Sequence, residues 1–187
     1  SMREWRFAAN AAFFGARRDR FNQFQPDRTL NEKVALVTQV EGVTGVELKY
    51  PRDFAVGGEA PTEDDVTRVR NLLARHKLAL SAVNVDTKAI EHFRYGALSA
   101  RGEDARRIAA TRLREGMDVA AEMGAEIVTT CPLAEGYDYA FQIDYTTAWD
   151  NFVDTVRSGV SDGGELNLVL EYEPDEPYSR ILRDSVG

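Results

Sequence analysis

Near the carboxyl end of this 187-residue sequence, a short apolar run over residues 166–170 leads directly into a group of acidic residues. These carboxylates are Glu171, Glu173, Asp175 and Glu176. The run predicts a strand buried on both faces, as in a parallel sheet. Carboxylates at the carboxyl end of such a strand lie where α/β folds place their chemistry. A solvated acidic loop after the strand is the alternative interpretation.

Other polar residues occupy comparable positions, at or shortly after the ends of predicted strands. Asn84 and Asp86 end the third predicted strand, where they could contact a substrate or cap the following loop. His92 lies in the loop that follows, and its imidazole could serve as an acid–base group. Glu135 and Asp138 lie in the next such loop, where a solvated position and a contact with substrate are both open.

Aromatic residues end the first two predicted strands. Phe14 lies near the end of the first and Tyr50 near the end of the second. Their rings could form the wall of a substrate pocket, and packing in the hydrophobic core is the alternative.

The elements that must position these residues alternate along the chain. Apolar, β-prone segments predict strands at residues 5–15, 45–51, 78–87, 126–132 and 166–170. Between them, capping residues and periodic apolar stripes predict helices that begin near Thr29, Thr62, Glu103 and Thr146 or Thr147. Strict alternation of strands and helices favours a parallel sheet with right-handed crossovers.

The predicted connections are unequal in length. The strand-to-helix loops are roughly ten residues or longer, above the usual two to six, whereas the helix-to-strand turns are brief. Long loops on one face are what a (β/α) TIM barrel needs, because its active site is assembled from them. A doubly wound, flavodoxin-like sheet is the structural alternative. A complete barrel has eight units in about 250 residues, so we expect one α/β barrel domain over residues 2–187, incomplete on its carboxyl side, with about five units.

The composition excludes several classes of function. A net charge of −8 argues against nucleic-acid binding, because phosphate backbones recruit basic surfaces. No apolar run approaches the roughly 20 residues that span a bilayer, so no membrane segment is expected. The single cysteine, Cys131, excludes a disulfide within the chain and makes a buried thiol and a cytoplasmic location the default expectations.

Four segments, in this order and spacing, carry a family resemblance. They are the Gly-Val-Glu-Leu-x-Tyr-Pro motif at residues 45–51 and the segments at 82–86, 136–145 and 170–177. Together they resemble the xylose-isomerase-like superfamily of TIM barrels, which are sugar isomerases and epimerases, and within it the xylose/L-rhamnose isomerase-like proteins. The resemblance implies a divalent metal at the barrel mouth with Glu171 as a ligand. Its carboxylate oxygens suit Mn²⁺, Mg²⁺ or Co²⁺, with Zn²⁺ as an alternative.

Two positions differ from the family pattern. Glu173 stands where related isomerases carry a lysine, so it is a candidate general base or second metal ligand. Cys131 precedes Pro132 where relatives tend to have tryptophan, which removes an apolar wall from the sugar site.

The function that the resemblance implies is a metal-dependent isomerase that interconverts aldose and ketose sugars. The alternatives are a sugar epimerase, a lyase or deglycosylase that acts on a modified sugar, and a non-catalytic half-barrel subunit. The expected partners are a small carbohydrate substrate and either further copies of the chain or a second chain that completes the barrel.

Overall fold

The computed structural model describes residues 5–19, 21–55, 60–137, 139, 141–160, 166–172 and 180–181. Its strands, in chain order, are β1 (Phe7–Asn10), β2 (Arg17–Arg18), β3 (Gln23–Gln25), β4 (Val43–Tyr50), β5 (Ala79–Val85), β6 (Ile127–Thr130), β7 (Gly136–Tyr137), β8 (Asn167–Leu170) and β9 (Arg180–Ile181). Five of them form a parallel sheet in the order β1-β4-β5-β6-β8. The antiparallel pairs β2-β3 and β7-β9 lie outside this sheet. The five-stranded α/β prediction is therefore confirmed.

Four helices connect the strands of the described sheet. They are α1 (Leu30–Val37), α2 (Glu63–Arg75), α3 (Glu103–Met123) and α4 (Tyr145–Gly159). Thr29 and Thr62 begin the first two with complete capping boxes, as their spacing predicts. Within the described residues, no helix is long and apolar enough to cross a membrane.

Two predicted element boundaries are wrong. The first strand ends at Asn10, because the Asn10 side chain accepts a hydrogen bond from the Ala12 N–H and starts a 3-10 turn over Ala11–Phe14. The fourth helix begins after Asp144, and neither Thr146 nor Thr147 caps it. The Asp144 carboxylate accepts from the Thr147 N–H at 2.7 Å, and a carboxylate is at least as good a cap as a threonine hydroxyl.

By its internal contacts the chain divides into two compact units, residues 1–83 with 119–126, and residues 84–118 with 127–187. In the first unit, alternate residues of β4 are fully or almost fully buried: Val46, Leu48 and Tyr50. The apolar faces of α1 and α2 are buried as well, at Val34, Val37, Val66, Val69, Leu72 and Leu73. Full burial of each such side chain contributes about 1.5–3 kcal/mol, so this core fixes β4 and the loop that follows it.

In the second unit, α3 and α4 pack closely at a glycine. A Cβ placed on Gly159 would lie 2.9 Å from the Cβ of Leu113 and 3.1 Å from the carbonyl oxygen of Ala110. A larger residue would therefore force the two helices apart.

The last strand of the described sheet, β8, is not buried on both faces, so that prediction is wrong. Its residues alternate between exposed and half-buried. Because β8 lies at the edge of the described sheet, it is flanked by β6 on one side.

Candidate functional site

Glu171, the first predicted site residue, directly follows β8. Its backbone N–H donates to the carbonyl oxygen of Thr130 at 2.9 Å, so the pairing with β6 continues to this residue. Thr129 and Val169 are register partners, and alternation places Glu171 on their face of the sheet. The side chain is exposed, so its carboxylate is accessible to a ligand.

Asn84 lies at the end of β5 and contacts the same face of β6. Its amide nitrogen donates to the Thr129 hydroxyl at 2.8 Å. The opposite face is closed, because the Thr130 hydroxyl donates to the Val85 carbonyl at 2.9 Å and lies 3.0 Å from the Thr87 hydroxyl. The second unit therefore places an amide, a hydroxyl and the Glu171 carboxylate on one face, near the carboxyl ends of its strands.

Asp86 caps the loop that follows β5, which was the alternative to a contact with substrate. Its carboxylate accepts from the backbone N–H groups of Lys88 and Ala89, each at 2.9 Å. Arg112 of α3 donates to the Asp86 carbonyl at 3.1 Å, which fixes the start of this loop.

Glu135 is buried, so the expectation of a solvated position is wrong. Its side chain lies in a backbone nest: the N–H groups of Leu98 and Ser99 donate at 2.7 and 2.8 Å, and that of Ala97 reaches both oxygens at 3.3 Å. The Ser99 hydroxyl donates to the same carboxylate. Burial raises the pKa of Glu135, and these hydrogen bonds oppose that rise. Glu135 therefore fixes the loop before α3.

In the first unit, two polar residues that sequence reasoning did not assign meet at the carboxyl end of β1. The amide of Asn10 donates to the Glu47 carboxylate at 2.7 Å, and the two residues are register partners in β1 and β4. The signal was present: Glu47 alternates with the buried apolar residues Val46 and Leu48, which places a carboxylate on the other face of β4.

The two predicted aromatic wall residues differ in exposure. Tyr50 is almost fully buried, and its ring centroid lies 6.1 Å from that of Phe54. Phe14 is half-buried in the turn after β1, and its carbonyl accepts from Arg28 at 2.8 Å. Tyr50 is therefore part of the hydrophobic core in this structure.

Three predicted site residues remain: His92, Glu173 and Asp138. His92 is exposed in a 3-10 turn over Glu91–Phe93. Glu173 and Asp138 lie outside the described residues. Across the ranges that the structure does describe, no group of three or more His, Cys, Asp or Glu side chains could hold a metal ion.

A cavity of about 580 Å³ lies at the other end of the first unit's strands. Its lining includes the amino-terminal residues of β1 and β5 and residues early in β4: Phe7, Ala8, Thr44, Gly45, Ala79 and Leu80. Barrel enzymes place their chemistry at the carboxyl ends of the strands, so this cavity is not the candidate active site.

One match to a protein family and one to a curated protein cover most of the chain. Residues 35–180 match the family described as "Xylose isomerase-like TIM barrel". A xylose isomerase from Thermus caldophilus is 29% identical over 154 residues, which cover 78% of this chain and 39% of that protein. The chain thus spans less than half of this relative's length.

Solved structures share the fold at low sequence identity. An AP endonuclease of family 2 from Brucella melitensis has a TM-score of 0.60 at 16% identity, covering 94% of this chain and 59% of that one. A D-tagatose 3-epimerase-like protein has a TM-score of 0.64 at 13% identity, covering 92% of this chain and 54% of that one. D-psicose 3-epimerase from Clostridium cellulolyticum H10, crystallised with D-tagatose, has a TM-score of 0.58 at 14% identity, covering 88% of this chain and 51% of that one.

The xylose isomerase, the endonuclease and D-psicose 3-epimerase are enzymes by name. The alternating strands and helices of this chain agree with the fold of the solved structures. The family match extends from α1 to the beginning of β9. The chain belongs to the xylose isomerase-like TIM barrel family of enzymes.

Proposed function

We propose that this chain is part of a sugar isomerase that interconverts aldoses and ketoses with the help of a divalent metal. The observation that carries the proposal is the accessible carboxylate of Glu171, which follows a parallel strand at its carboxyl end within a sequence that matches the family. The similarity to a xylose isomerase supports the same reaction class.

The donor chemistry of Glu171 fits one ligand position of a hard divalent cation such as Mn²⁺, Mg²⁺ or Co²⁺, and Zn²⁺ also accepts carboxylate oxygen. The described residues provide no complete ligand set, so the proposal requires ligands from other residues. Glu173, two positions further on, is the first candidate for a second ligand or a general base. The metal would supply Lewis-acid stabilisation of negative charge on a sugar oxygen.

The chain's own polar residues would orient the sugar. Asn84 is 7% exposed. Its amide has a carbonyl oxygen and a second N–H besides the donor that it gives to Thr129, and both would bind a sugar hydroxyl that reaches them. The Thr129 hydroxyl is fixed by the same contact. The substrate roles of Asp86, Phe14, Tyr50, Glu135 and Asp138, and the acid–base role of His92, stay predictions.

A sugar 3-epimerase is the second candidate, because the same carboxylate and polar face would suit a reaction at C3 of a ketose. The epimerase names among the structural relatives belong to proteins that share the fold. A lyase or deglycosylase, and a half-barrel that binds a second chain, remain the further alternatives. Self-association and a cytoplasmic location stay predictions.

The proposal is tested by Mn²⁺ binding to the whole protein that contains this chain, measured by isothermal titration calorimetry on wild type, Glu171→Gln and the matched control Glu41→Gln. Glu41 is an exposed glutamate beyond α1, in the other unit. We expect Glu171→Gln to weaken Mn²⁺ binding by tenfold or more, about 1.4 kcal/mol, and Glu41→Gln to leave it unchanged. Equal affinities of all three proteins would refute the ligand role.

The reaction is then identified by incubating the Mn²⁺-loaded protein separately with D-xylose, L-rhamnose and D-tagatose. Formation of the matching ketose from either aldose supports the isomerase. Conversion of D-tagatose to its C3 epimer, with no reaction of the aldoses, supports the epimerase. Binding of Mn²⁺ without conversion of any sugar would contradict both assignments.

A further inference from the structure

Three arginines line a small cavity in the first unit. It measures about 330 Å³ and lies where the segment before α1 meets the start of the loop after β4. Its lining includes four cationic and two acidic side chains, Arg28, Lys33, Arg52, Arg68, Asp27 and Asp53, and we call it the basic cleft. The cations outnumber the carboxylates four to two among the lining residues. Two further carboxylates lie next to the arginines: Asp65 accepts from Arg68 at 3.4 Å, and the pKa of Glu32 is lowered by hydrogen bonds from Thr29 and by the charge of Arg28.

Both carboxylates of the basic cleft are already engaged. Asp27 accepts from the Lys33 ammonium at 3.1 Å and from Arg52 at 2.6 Å. Partial burial raises the pKa of Asp27, but the hydrogen bonds and charge of these two cations lower it overall. Asp53 accepts from the Lys49 backbone N–H at 2.7 Å and lies 4.0 Å from the Lys33 ammonium. Lys33, which is 5% exposed, is thus compensated by the two aspartates.

Two of the three arginines are held mainly by neutral groups. Arg28 donates to the Phe14 carbonyl at 2.8 Å, and Arg68 donates to the Phe54 carbonyl at 2.6 Å. A carbonyl orients a guanidinium without cancelling its charge, and each guanidinium has five N–H donors. From its own helix, Arg68 also faces Asp65 at 3.4 Å, with half of its side chain exposed. Donor capacity therefore remains in the cleft, because neither guanidinium uses all five of its N–H groups in these contacts.

The amino-terminal end of α1 contributes further N–H donors to the cleft. Thr29, Leu30 and Asn31 line the cleft, and the first N–H groups of a helix have no acceptor within it. The helix dipole favours an anion at this end. The Thr29 hydroxyl and the Glu32 carboxylate complete the capping box, so they satisfy the donors of Glu32 and Thr29, while those of Leu30 and Asn31 remain.

We propose that the basic cleft binds the phosphate group of a small molecule, with Arg28, Arg52 and Arg68 as its ligands. Planar guanidinium groups match two phosphate oxygens at once, and three of them line this one cleft. This site goes beyond the proposed isomerase function and does not use Glu171.

Inorganic phosphate is the first probe, titrated into the purified chain by calorimetry at low ionic strength. We expect a dissociation constant near 1 mM or tighter, corresponding to about 4 kcal/mol. Arg52→Gln and Arg28→Gln should each weaken binding about tenfold, or about 1.4 kcal/mol. Arg107→Gln is the matched control, since Arg107 is also exposed and paired with one aspartate but lies on α3. Circular dichroism establishes that each variant is folded, and the 60% exposure of the Arg52 side chain makes it the safest of them.

Two outcomes would overturn the proposal: no heat of binding with phosphate at about ten times the expected constant, or equal weakening in Arg107→Gln and the cleft variants. A sugar phosphate such as D-xylulose 5-phosphate then identifies the source of the group. Tighter binding than inorganic phosphate supports a phosphorylated ligand, whereas equal binding supports free phosphate in the same site. Glu171→Gln should leave phosphate binding unchanged, so failure of the metal proposal and failure of this one are separate results.

Discussion

The nest around Glu135 gives the sharpest stability prediction. In Glu135→Ala, the backbone N–H groups of Ala97, Leu98 and Ser99 lose their acceptor, and Ala97 and Leu98 are fully buried. Each buried donor left without a partner costs about 1–3 kcal/mol. We therefore expect Glu135→Ala to lower the free energy of unfolding by about 3 kcal/mol or more, a large fraction of the 5–15 kcal/mol typical of a domain.

Glu135→Gln separates the hydrogen bonds from the volume of the side chain. Glutamine keeps one carbonyl oxygen for the N–H groups on one side, but its NH₂ group faces the donors of Ser99 on the other. Its cost should therefore lie between zero and that of alanine, at about 1–3 kcal/mol. Glu41→Ala is the control for an exposed glutamate and should change stability by less than about 0.5 kcal/mol.

The assay is urea unfolding followed by circular dichroism and tryptophan fluorescence, with coincident transitions as the test of two-state behaviour. Glu135→Ala should shift the midpoint strongly downward, Glu135→Gln should be intermediate, and Glu41→Ala should match wild type. A loss of less than about 1 kcal/mol in Glu135→Ala would refute the reasoning, because it would mean that these donors are satisfied without the carboxylate.

Three further predictions use the same unfolding assay. Because burial raises the pKa of Glu135, the part of its contribution to stability that is linked to proton binding is fully present below the unfolded pKa of about 4.5 and is lost as the pH rises through the folded pKa. The stability difference between wild type and Glu135→Gln should therefore be largest in acid and decrease towards neutral pH, and a difference that grows with pH would contradict the assignment. Thr62→Ala removes the hydroxyl that caps α2 and should cost about 1 kcal/mol, whereas Thr67→Ala, on the exposed face of the same helix, should cost nothing. Gly159→Ala forces a Cβ against Leu113 and should cost about 1–3 kcal/mol of stability. Gly102→Ala is its control, because a Cβ added at Gly102 would meet no atom within 4 Å. If the two substitutions cost the same, α3 and α4 are not closely packed at Gly159.

The elements that the sequence predicted well are those fixed by neighbouring residues. The capping boxes at Thr29 and Thr62 depend on side chains three positions apart, and both formed as predicted. The third helix begins at Glu103, as predicted, and ends before Gly124, whose φ of +73° suits the left-handed conformation after a helix. Where a stronger local competitor was present, as at Asn10 and Asp144, the predicted boundary was wrong.

The burial of the predicted site residues was harder to infer, because burial depends on what packs against a residue. The apolar composition of residues 166–170 predicted a strand correctly, but it could not show that β8 would lie at the edge of the described sheet. Tyr50 was predicted both as a possible pocket wall and as a core residue, and its burial and its packing against Phe54 agree with the core position.

By itself, the sequence determined the alternation of strands and helices, the caps, the family resemblance and the position of Glu171 at the end of a strand, because all of these are properties of short segments or of their order. The tertiary structure decided which carboxylates are available for binding. Glu135 accepts from N–H groups 36 to 38 residues earlier, and Glu47 accepts from Asn10 across 37 residues. Such partners meet only when the strands and loops are packed, so the difference between a solvated, a buried and a ligand-binding carboxylate is a property of the fold.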